Sequence, residues 1–509
     1  MSAPARIVSL KHPGTWENYH KTGTSRLKAR CSLRSGDAGR GREDIRQGAA
    51  AVHEWLLDAK REGVPVRPVG GAWSLSNIQL VHEGWMLNTR RFNRCFRLAA
   101  ADFARPAAVE PGAFLLIEGG VQVDEVNDKL QEMGRSLSTT GASNGQTFPG
   151  ACATATHGSV FAAGGIQQHV RAVQMVTPTG IHWIEPAEGL MSEDFVRETG
   201  STLLRDDDAF AAALVAVGSL GIVTAMVIDS EPLYLVRPYL KLIDFSREDV
   251  ESLARGDFGA FSRRHGPPGM DRDPFFVMVI TTPYQPWGTK AVARILYKFP
   301  HHDKYERLKP AQLGAGYDAQ TMMAWALRNF PWARGKILQF ILRRGVGKGM
   351  TEERYATWGE SLETPVPLAD SFAAALFSDR ARLLDTLEAL CTGFSSRGGS
   401  TAVTLRFMKR GPGLLSQARW ENTVAIDCDG PSGHTTERAY LEMLPELDRK
   451  GIDYTLHWGK FNNLTAQRVA DDYGQDLVRW KAVRDRLLPT TADRALFHTK
   501  ELRAFGLAG

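Results

Sequence analysis

Apolar positions in the first part of the chain alternate between the spacing of a helix and that of a short strand. Between Ala50 and Arg61 they recur on one helical face, which predicts a helix that ends at Gly63. The run Val64–Val69 has the composition of a strand and follows directly. The two patterns return as a strand over Phe114–Val121 and a helix over Asp124–Met133. Each predicted unit leads towards a segment rich in glycine and small residues.

Further along, paired strands and a single helix indicate an α+β fold rather than regular βαβ alternation. Val173–Val176 and Ile181–Ile184 flank a Thr-Pro-Thr-Gly turn, which predicts a hairpin. Phe210–Val217 has helical spacing and precedes a strand that ends at Ile228. Pro232 then offers the first plausible domain boundary.

The chain has 509 residues, which is too long for one hydrophobic core, so two or three domains are expected. Beyond Pro232 the chain carries separated strand patterns and one clear helix. The predicted elements are strands over Leu240–Phe245, Phe275–Thr281, Thr401–Met408, Thr423–Cys428 and Asp453–Trp458, and a helix over Glu437–Lys450.

Composition limits the possible partners of the protein and indicates its cellular compartment. Hydrophobic residues make up 43% of the chain, and the net charge of +5 is too small for this length to indicate a nucleic-acid partner. The five cysteines are odd in number and form no Cys-x-x-Cys pair, which argues against a disulfide framework or a thiolate zinc site. No signal-peptide pattern opens the sequence and no 18-residue apolar run occurs, so we expect a cytoplasmic protein.

Two segments have the composition of polyanion-binding turns. They are Arg67–Ser74 and Gly150–Gly158, and Gly141–Ser143 lies shortly before the second. Turns of small residues let several backbone N–H groups approach one phosphate group closely. No Gly-x-Gly-x-x-Gly fingerprint follows a predicted strand, so a Rossmann domain is not expected.

In this order and spacing, and followed much later by His457-Trp458-Gly459-Lys460, the two loops resemble those of the vanillyl-alcohol-oxidase-type FAD enzymes. Within that superfamily the chain is most similar to the aldonolactone and alditol oxidases, with class II cholesterol oxidases as more distant relatives. The resemblance implies a two-part PCMH-type FAD-binding domain over 1–235. It also implies a substrate domain with an antiparallel sheet and flanking helices over 236–453, and a C-terminal segment over 454–509 that returns to the FAD.

The resemblance implies FAD as the cofactor, held by both loops and, at the adenine, by the backbone of Ile222. Ala142 matches the small residue beside the oxygen-reactive edge of the flavin. Alanine occurs there in family members of both kinds, so O2 and a redox protein or quinone both stay open as electron acceptors. The predicted FAD-binding residues are Arg67, Pro68, Val69, Gly70, Gly71, Ala72, Trp73, Ser74, Gly141, Ala142, Ser143, Gly150, Cys152, Thr154, Ala155, Thr156, His157, Gly158 and Ile222.

One departure from the family concerns attachment of the cofactor. Many relatives carry, after the first glycine turn, a histidine that is bonded covalently to the flavin, and this chain has Trp73 there. Indole cannot form that bond, so non-covalent FAD is predicted. Cys152 is the other candidate for a covalent link, because berberine-bridge-type relatives place a cysteinyl bond at this position; the alternative is a small apolar residue packed beneath the loop.

A second departure concerns acid–base chemistry. The family carries a Glu-x-Arg pair on one face of a strand beside the flavin, and here Arg406 matches while Thr404 replaces the glutamate. A hydroxyl can orient a substrate but is not a general base near neutral pH. Lys460 matches the lysine beside the pyrimidine edge of the flavin, where a fixed cation stabilises developing negative charge. His457 accompanies it as a structural, flavin-contacting or catalytic residue, so the predicted catalytic set is Lys460, Arg406, His457 and Thr404.

The resemblance implies an enzyme that oxidises an alcohol carbon of a sugar lactone or polyol-like small molecule by hydride transfer to the flavin. Trp73 and Thr404 leave a second reading open, in which the substrate is a bulky lipophilic, phenolic or sterol-like alcohol. A third reading, from another class, is a flavin-binding protein without catalysis. Retention of Arg406 and Lys460 argues against that last reading.

The stretch Trp325–Gly349 combines aromatic, aliphatic and basic residues and contains no acidic residue. Three roles stay open for it: a helical hairpin of the substrate domain with a solvated basic face, a segment in peripheral contact with a membrane surface, and an oligomer contact. No metal site and no oligomeric state are predicted.

Overall fold

The computed structural model describes residues 3–10, 14–37, 39, 41–306, 335–337, 339–340, 350–351, 354–361, 371–397, 399, 401–431 and 433–508. Apart from 335–337 and 339–340, the Trp325–Gly349 stretch lies outside the described residues, and its three roles stay predictions. The described chain folds as an α+β protein around three main β-sheets.

The first sheet lies at the N-terminus and leads the chain into the first glycine-rich loop. Its strands are in the order β1-β3-β5-β4 with β2 beside β3, and β5 runs parallel to both β3 and β4. The loop begins where β4 ends. The elements are β1 Arg6–Ser9, β2 Thr15–Glu17, β3 Thr24–Arg34, α1 Arg42–Arg61, β4 Val66–Val69 and β5 Gly84–Arg91.

The second sheet has the order β11-β10-β9-β12-β7-β6 and includes the predicted hairpin, β9–β10. A separate two-stranded pair, β8 with β13, lies beside it. The strands are β6 Cys95–Arg97, β7 Phe114–Glu118, β8 Arg135–Ser136, β9 Val170–Thr177, β10 Gly180–Glu185, β11 Thr202–Arg205, β12 Ile222–Asp229 and β13 Glu231–Pro232, and the helices are α2 Val123–Glu132, α3 Phe148–Ala153, α4 Glu193–Glu198 and α5 Asp207–Leu214.

The third sheet is antiparallel, has nine strands and carries helices beside it. Its order is β17-β14-β16-β15-β20-β21-β19-β22, with β18 beside β14. The strands are β14 Tyr234–Phe245, β15 Phe276–Thr281, β16 Thr289–Pro300, β17 Met350–Thr351, β18 Ala356–Thr357, β19 Ser371–Asp379, β20 Ala402–Lys409, β21 Asn422–Pro431 and β22 Tyr454–Leu456, and the helices up to β22 are α6 Arg247–Arg255, α7 Phe258–His265, α8 Trp358–Ser361, α9 Leu383–Arg397 and α10 His434–Arg449.

The chain ends in three helices that return towards the first part of the protein. The longest, α11 Ala466–Leu487, is kinked at Gly474, whose φ of 48° is not helical, and packs against α5. Helices α12 Thr491–Ala495 and α13 Lys500–Ala504 follow it. The amide N–H of Val66 in β4 donates to the carbonyl of Leu496, which follows α12, at 2.6 Å. One large hydrophobic core joins elements of all three main sheets, and smaller apolar clusters lie apart from it. The bounds 1–235, 236–453 and 454–509 stay predictions, although β14 begins beside the first of them.

The element bounds differ from the sequence-based ones at two places that matter for the site. Helix α1 begins at Arg42 rather than Ala50, because its first turn is polar, with Glu43 and Asp44, and shows little of the apolar spacing. Helix α5 ends at Leu214 rather than Val217, whose φ of 52° lies in the left-handed region. The residues after α5 therefore form a turn instead of a last helical turn.

Candidate FAD and substrate site

A cavity of about 460 Å³ lies where the two glycine-rich loops meet the third sheet. Most of the predicted site residues line it: Arg67, Pro68, Val69, Gly70, Gly71, Ala72, Trp73, Ser74, Ala142, Ser143, Gly150, Thr154, Thr156, His157, Arg406, His457 and Lys460. The other predicted residues, Gly141, Cys152, Ala155, Gly158, Ile222 and Thr404, lie outside that lining. The fold thus brings Arg67 and Lys460, almost 400 residues apart in the sequence, to the same cavity.

The first loop approaches the second so closely that side chains are excluded. A Cβ atom on Gly70 would overlap Thr147, and one on Gly71 would lie 2.7 Å from the carbonyl oxygen of Gly145. Ala72 has a φ of 58°, a conformation that few residues with a side chain adopt. Within the described chain, the amide N–H groups of Gly71, Ala72 and Trp73 donate to no protein acceptor, so this turn offers donors to the cavity.

The second loop includes the end of α3 and the residues after it, and it too is closely packed and contains a residue in the left-handed region. Its Ala155 also lies in the left-handed region, with a φ of 48°. A Cβ on Gly141 would be 2.6 Å from Thr156, and one on Gly158 would be 2.5 Å from the carbonyl of Thr140. Gly141 and Gly158 therefore permit close backbone packing behind the loop, while Thr156 reaches the cavity.

Arg67 ties the first loop to the turn after α5. Its buried guanidinium donates to the carbonyls of Gly218 and Val217, at 2.6 and 3.0 Å. Burial lowers the pKa of Arg67 to about 10, so the side chain stays charged at neutral pH. Val217, in its left-handed conformation after α5, presents its carbonyl to this cation.

A further part of the cavity lining comes from residues just after β7 and at the start of β12. Gly119, Gly221 and Val223 line it, together with Thr89. The side chain of Ile222, between the last two, is fully buried in the core. Ile222 can thus contribute only backbone to the cavity, as the resemblance to the family implies for the adenine.

Trp73 and Cys152 occupy the two positions that bear on a covalent link. The Trp73 ring stacks on Tyr19 with centroids 4.7 Å apart and lines the cavity. Cys152 is fully buried on α3, and its neighbours Ala151 and Ala153 line the cavity while it does not. Burial raises the pKa of the Cys152 thiol well above its usual range. Because the thiolate is the nucleophilic form, this cysteine is inert in its present position.

The His457–Lys460 turn is fastened to the first loop from the opposite side. The hydroxyl of Ser76 donates to the carbonyl of Trp458 at 2.7 Å, and the amide of Leu75 donates to the carbonyl of Gly459 at 2.8 Å. The amide of Gly459 donates to Nδ1 of His457 at 2.9 Å. That acceptor role places the ring proton of neutral His457 on Nε2.

A buried aspartate that the sequence analysis did not select joins the two predicted catalytic cations. Oδ1 of Asp427 accepts from Nζ of Lys460 at 2.6 Å, and Oδ2 lies 2.7 Å from Nε of Arg406. Asp427 is fully buried on β21 and stands directly opposite Thr404 on β20. The carboxylate that the family carries at the position of Thr404 thus has a counterpart on the neighbouring strand.

These charges hold one another in their ionised forms. Burial alone would raise the pKa of Asp427, but the nearby Arg406 and Lys460 outweigh it and hold that pKa well below the usual range. Burial likewise opposes the charge of Lys460, and the attraction of Asp427 and then Asp429 raises its pKa instead. The lysine is a fixed cation, as its predicted role requires.

Two histidines beside these charges are neutral. Burial, assisted by Arg406 and Lys460, lowers the pKa of His157 to about 3 against the opposing effect of Asp427. Burial and the charge of Lys460 also lower the pKa of His457 well below its usual range. The His157 ring packs edge-on against Phe377, with centroids 4.8 Å apart.

Asp429 is the acidic group that faces the cavity. It lies two residues beyond Asp427 on the same face of β21, and 43% of its side chain is exposed where it lines the cavity. Its Oδ1 lies 3.8 Å from Nζ of Lys460. Burial raises its pKa, the charge of Lys460 opposes that rise, and Asp427 reinforces it. Alternating acidic residues in the otherwise apolar run Thr423–Cys428 and beyond were the available sequence signal.

The residues present fit FAD. One end of the cavity is a cradle that a Cβ on Gly70 or Gly71 would fill, and it carries free amide donors suited to a pyrophosphate. The other end presents Lys460 and Arg406, which suit a ring system that gains negative charge. In the described part of the chain no group of acidic, histidine or cysteine side chains is arranged to hold a metal ion. No helix among those residues is long and apolar enough to cross a membrane.

Comparisons with known proteins agree with the conclusion that this cavity fits FAD. Residues 47–184 match the family described as an FAD binding domain. The L-gulono-1,4-lactone dehydrogenase of Mycobacterium tuberculosis is 22% identical over 469 residues, 90% of this chain and 94% of that protein. The L-gulonolactone oxidase of Mus musculus is 25% identical over 181 residues, 36% of this chain and 35% of that protein.

Solved structures show the same fold over the whole length. The cholesterol oxidase of Brevibacterium sterolicum superposes with a TM-score of 0.68 at 13% identity, covering 98% of this chain and 97% of that one. The 6-hydroxy-D-nicotine oxidase of Arthrobacter nicotinovorans gives a TM-score of 0.59 at 15% identity, with 98% of each chain covered. The expected fold is thereby confirmed.

Proposed function

We propose that this chain, an FAD-dependent oxidoreductase that resembles the aldonolactone oxidase side of the vanillyl-alcohol-oxidase superfamily, oxidises an alcohol carbon of a sugar lactone or polyol-like molecule. The observation that carries the proposal is the cavity itself. It joins a cradle of free amides to the Arg406–Asp427–Lys460 cluster. The relatives named for sugar lactones support this class of substrate.

When bound, FAD supplies an acceptor for two electrons and a hydrogen from the substrate carbon. The protein's own part is to place charge. Lys460 is held rigidly by Asp427 and presents a fixed positive charge to the cavity. Such a preorganised cation stabilises negative charge as it develops in the transition state, without reorganisation.

Arg406 is the group best placed to orient a polar substrate. Its Nε faces Asp427, and the side chain lines the cavity, which leaves the terminal nitrogens as donors to hydroxyl or lactone oxygens. Thr404 on the same face of β20 is buried against Asp427 and does not line the cavity. Its role in this proposal is to pack beside the carboxylate rather than to touch substrate.

The FAD is held without a covalent bond in this proposal. Trp73 cannot form the histidyl link, and Cys152 is a buried thiol that faces the core. We predict that acid precipitation releases the yellow colour into solution. Colour that stays with the chain, and is released by Cys152→Ala, would establish a cysteinyl link instead.

A specific observation favours a second candidate, a lipophilic alcohol. Thr404 on β20 pairs with Ile280 on β15. Ile280 in turn pairs with Val292 on β16, and Val292 pairs with Leu242 on β14. These side chains form an aliphatic cluster with Leu240. An apolar floor beside Arg406 would suit a substrate with a large hydrocarbon part.

One experiment separates these readings. The purified protein is mixed under anaerobic conditions with aldonolactones, alditols, and sterol or phenolic alcohols, and bleaching of the flavin is followed. We expect reduction by a lactone or polyol. Reduction by the hydrophobic alcohols alone would favour the second candidate, and a flavin that no alcohol bleaches would favour a binding protein without catalysis.

The proposal leaves two kinds of electron acceptor open and places the protein in the cytoplasm. Ala142 lines the cavity, and O2 and a redox protein or quinone both stay open as acceptors of the electrons. All five cysteines are free thiols, which supports a cytoplasmic location. Peripheral membrane contact through Trp325–Gly349 stays a prediction.

A further inference from the structure

Oxidation of an alcohol removes a hydroxyl proton as well as the hydrogen on carbon, so the site needs a proton acceptor. Relatives use a glutamate at the position that Thr404 holds here. A threonine hydroxyl cannot fill that role near neutral pH. The question, which rests on the proposed function, is which group of this chain takes the proton.

The histidines of the cavity are poorly suited. Nδ1 of His457 already accepts the amide proton of Gly459, so its other nitrogen carries a proton and donates. His157 has an available nitrogen, but burial and two cations keep its pKa near 3. A base that weak provides little driving force for proton transfer.

Asp427 is ionised, but both of its carboxylate oxygens are already paired with cations. Its two oxygens face Lys460 and Arg406 at 2.6 and 2.7 Å, and the side chain is fully buried outside the cavity lining. Protonating it would leave two cations facing a neutral group. Asp427 therefore acts as a positioning residue that fixes both cations.

We propose that Asp429 is the proton acceptor, the carboxylate that replaces the missing glutamate from the adjacent strand. It projects from the same face of β21 as Asp427, lines the cavity and stands opposite Ala402, whose small side chain leaves room beside it. Asp429 and Thr404 are diagonal neighbours across β20 and β21, a separation of about 7 Å that a hydroxyl-bearing substrate can bridge.

The step balances with the groups already named. The substrate O–H bond breaks and its proton passes to a carboxylate oxygen of Asp429, while the C–H hydrogen leaves with its electron pair to the FAD and a carbonyl forms. Lys460, 3.8 Å from Asp429, stabilises the carboxylate before the transfer. No further reactant is needed.

Charged and titratable groups surround Asp429 on several sides. Asp427 lies on its own strand, Arg406 on β20, Lys460 and His457 in the turn after β22, and His157 in the second loop. On β19 its partner is Ala373, which does not titrate. Lys460 keeps its charge, Asp427 stays ionised and both histidines are neutral near pH 7. The pKa of His157 lies near 3 whereas that of Asp429 is raised above its usual value, so a titration in the mildly acid range reports on Asp429.

The test compares Asp429→Asn, Asp429→Glu and the control Glu421→Gln in the FAD-loaded enzyme. Glu421 directly precedes β21, has a side chain that is 77% exposed and pairs with Lys409. With whichever alcohol bleaches the wild-type flavin, we expect Asp429→Asn to slow flavin reduction by about 100-fold or more. We also expect it to remove the acid limb of the pH profile of kcat/KM. Asp429→Glu should restore part of the rate, and Glu421→Gln should match the wild type.

Two further measurements keep this result separate from the proposed function. The Kd for FAD should be unchanged in Asp429→Asn. The absorbance spectrum of bound FAD without substrate should show a pH-dependent shift in the wild type that the variant lacks. Weaker FAD binding with normal reduction would overturn the proposal by making Asp429 a flavin ligand, and so would a retained acid limb. If no alcohol reduces the wild type, the proposed function fails, and absence of the spectral shift would overturn the role of Asp429.

Discussion

At the scale of single residues, the site depends on one carboxylate held between two cations. Asp427 contacts Lys460 and Arg406 from a fully buried position. Each of the three charges would be costly to bury alone, and removal of one leaves the others uncompensated. The cluster therefore behaves as a unit, with a geometry that is fixed before any substrate enters.

We predict that Lys460→Met leaves FAD bound but slows flavin reduction by roughly 100-fold or more, the effect of removing one preorganised charge. Methionine keeps the length of the side chain and removes its cation. Stopped-flow bleaching with a saturating substrate measures the rate. The cavity contacts of the pyrophosphate cradle are unaffected, so FAD content after gel filtration serves as the control. An unchanged reduction rate would exclude Lys460 from the active site.

At the scale of elements, two loops and two strands decide the shape of the site. Gly70 of the first loop lies against Thr147, just before the second loop. The third sheet is tied to the residue after that loop, Ser159, whose hydroxyl accepts from the amide of Phe407 at 3.0 Å. Arg67 and Ser76 make comparable links to the turn after α5 and to the turn after β22. The cavity is thus fixed by contacts between elements that are far apart in the sequence.

We predict that Gly70→Ala weakens FAD binding by about tenfold or more, because the added Cβ would overlap Thr147 and push the loops apart. Fluorescence titration of the apoprotein with FAD measures the Kd. The double variant Gly70→Ala/Thr147→Gly should recover part of the affinity.

The matched control for this loop is Gly112→Ala. An added Cβ on Gly112 would meet no atom within 4 Å, so its Kd for FAD should equal that of the wild type. If Gly70→Ala also binds FAD normally, the close contact between the loops does not shape the cradle.

At the scale of the whole molecule, stability depends on a buried carboxyl group in the second sheet. Glu118 on β7 is fully buried and accepts hydrogen bonds from the Ser35 hydroxyl and, at 2.7 Å, from the amide of Arg94. Burial raises its pKa from 4.5 to about 7, against the opposing effect of those two bonds. The next residue, Gly119, lines the cavity.

A carboxyl group with a raised pKa in the folded state stabilises the protein below its unfolded pKa, and that contribution is lost as the pH rises. For Glu118 the window runs from pH 4.5 to about 7, and the shift corresponds to roughly 3 kcal/mol. We predict that the free energy of unfolding of Glu118→Gln, relative to wild type, rises by an amount of this order across that window.

Chemical denaturation at a series of pH values measures this difference. Glu188→Gln, at a site where 78% of the side chain is exposed, is the control and should track the wild type. Parallel curves for Glu118→Gln and the wild type would show that Glu118 does not titrate in this window.

The sequence by itself determined the fold class and the cofactor, and most of the residues that it singled out line the cavity. Apolar spacing gave the hairpin β9–β10 and the strands around Thr404 to within about three residues at each end, because such patterns report the local burial of each side chain. The small residues of Arg67–Ser74 and Gly150–Gly158 were identifiable because close backbone approach demands them. Comparison with relatives confirms FAD, and the catalytic assignments of Arg406 and Lys460 stay predictions.

Tertiary structure alone decided which groups complete the site. The partnership of Asp427 with Thr404 depends on the register of β20 against β21, and local spacing carries no information about the pairing of strands. Burial of Cys152 away from the cavity, the stacking of Trp73 on Tyr19 and the exposure of Asp429 likewise follow from elements distant in sequence. The charge state of each group depends on those neighbours, because burial and the surrounding charges set its pKa.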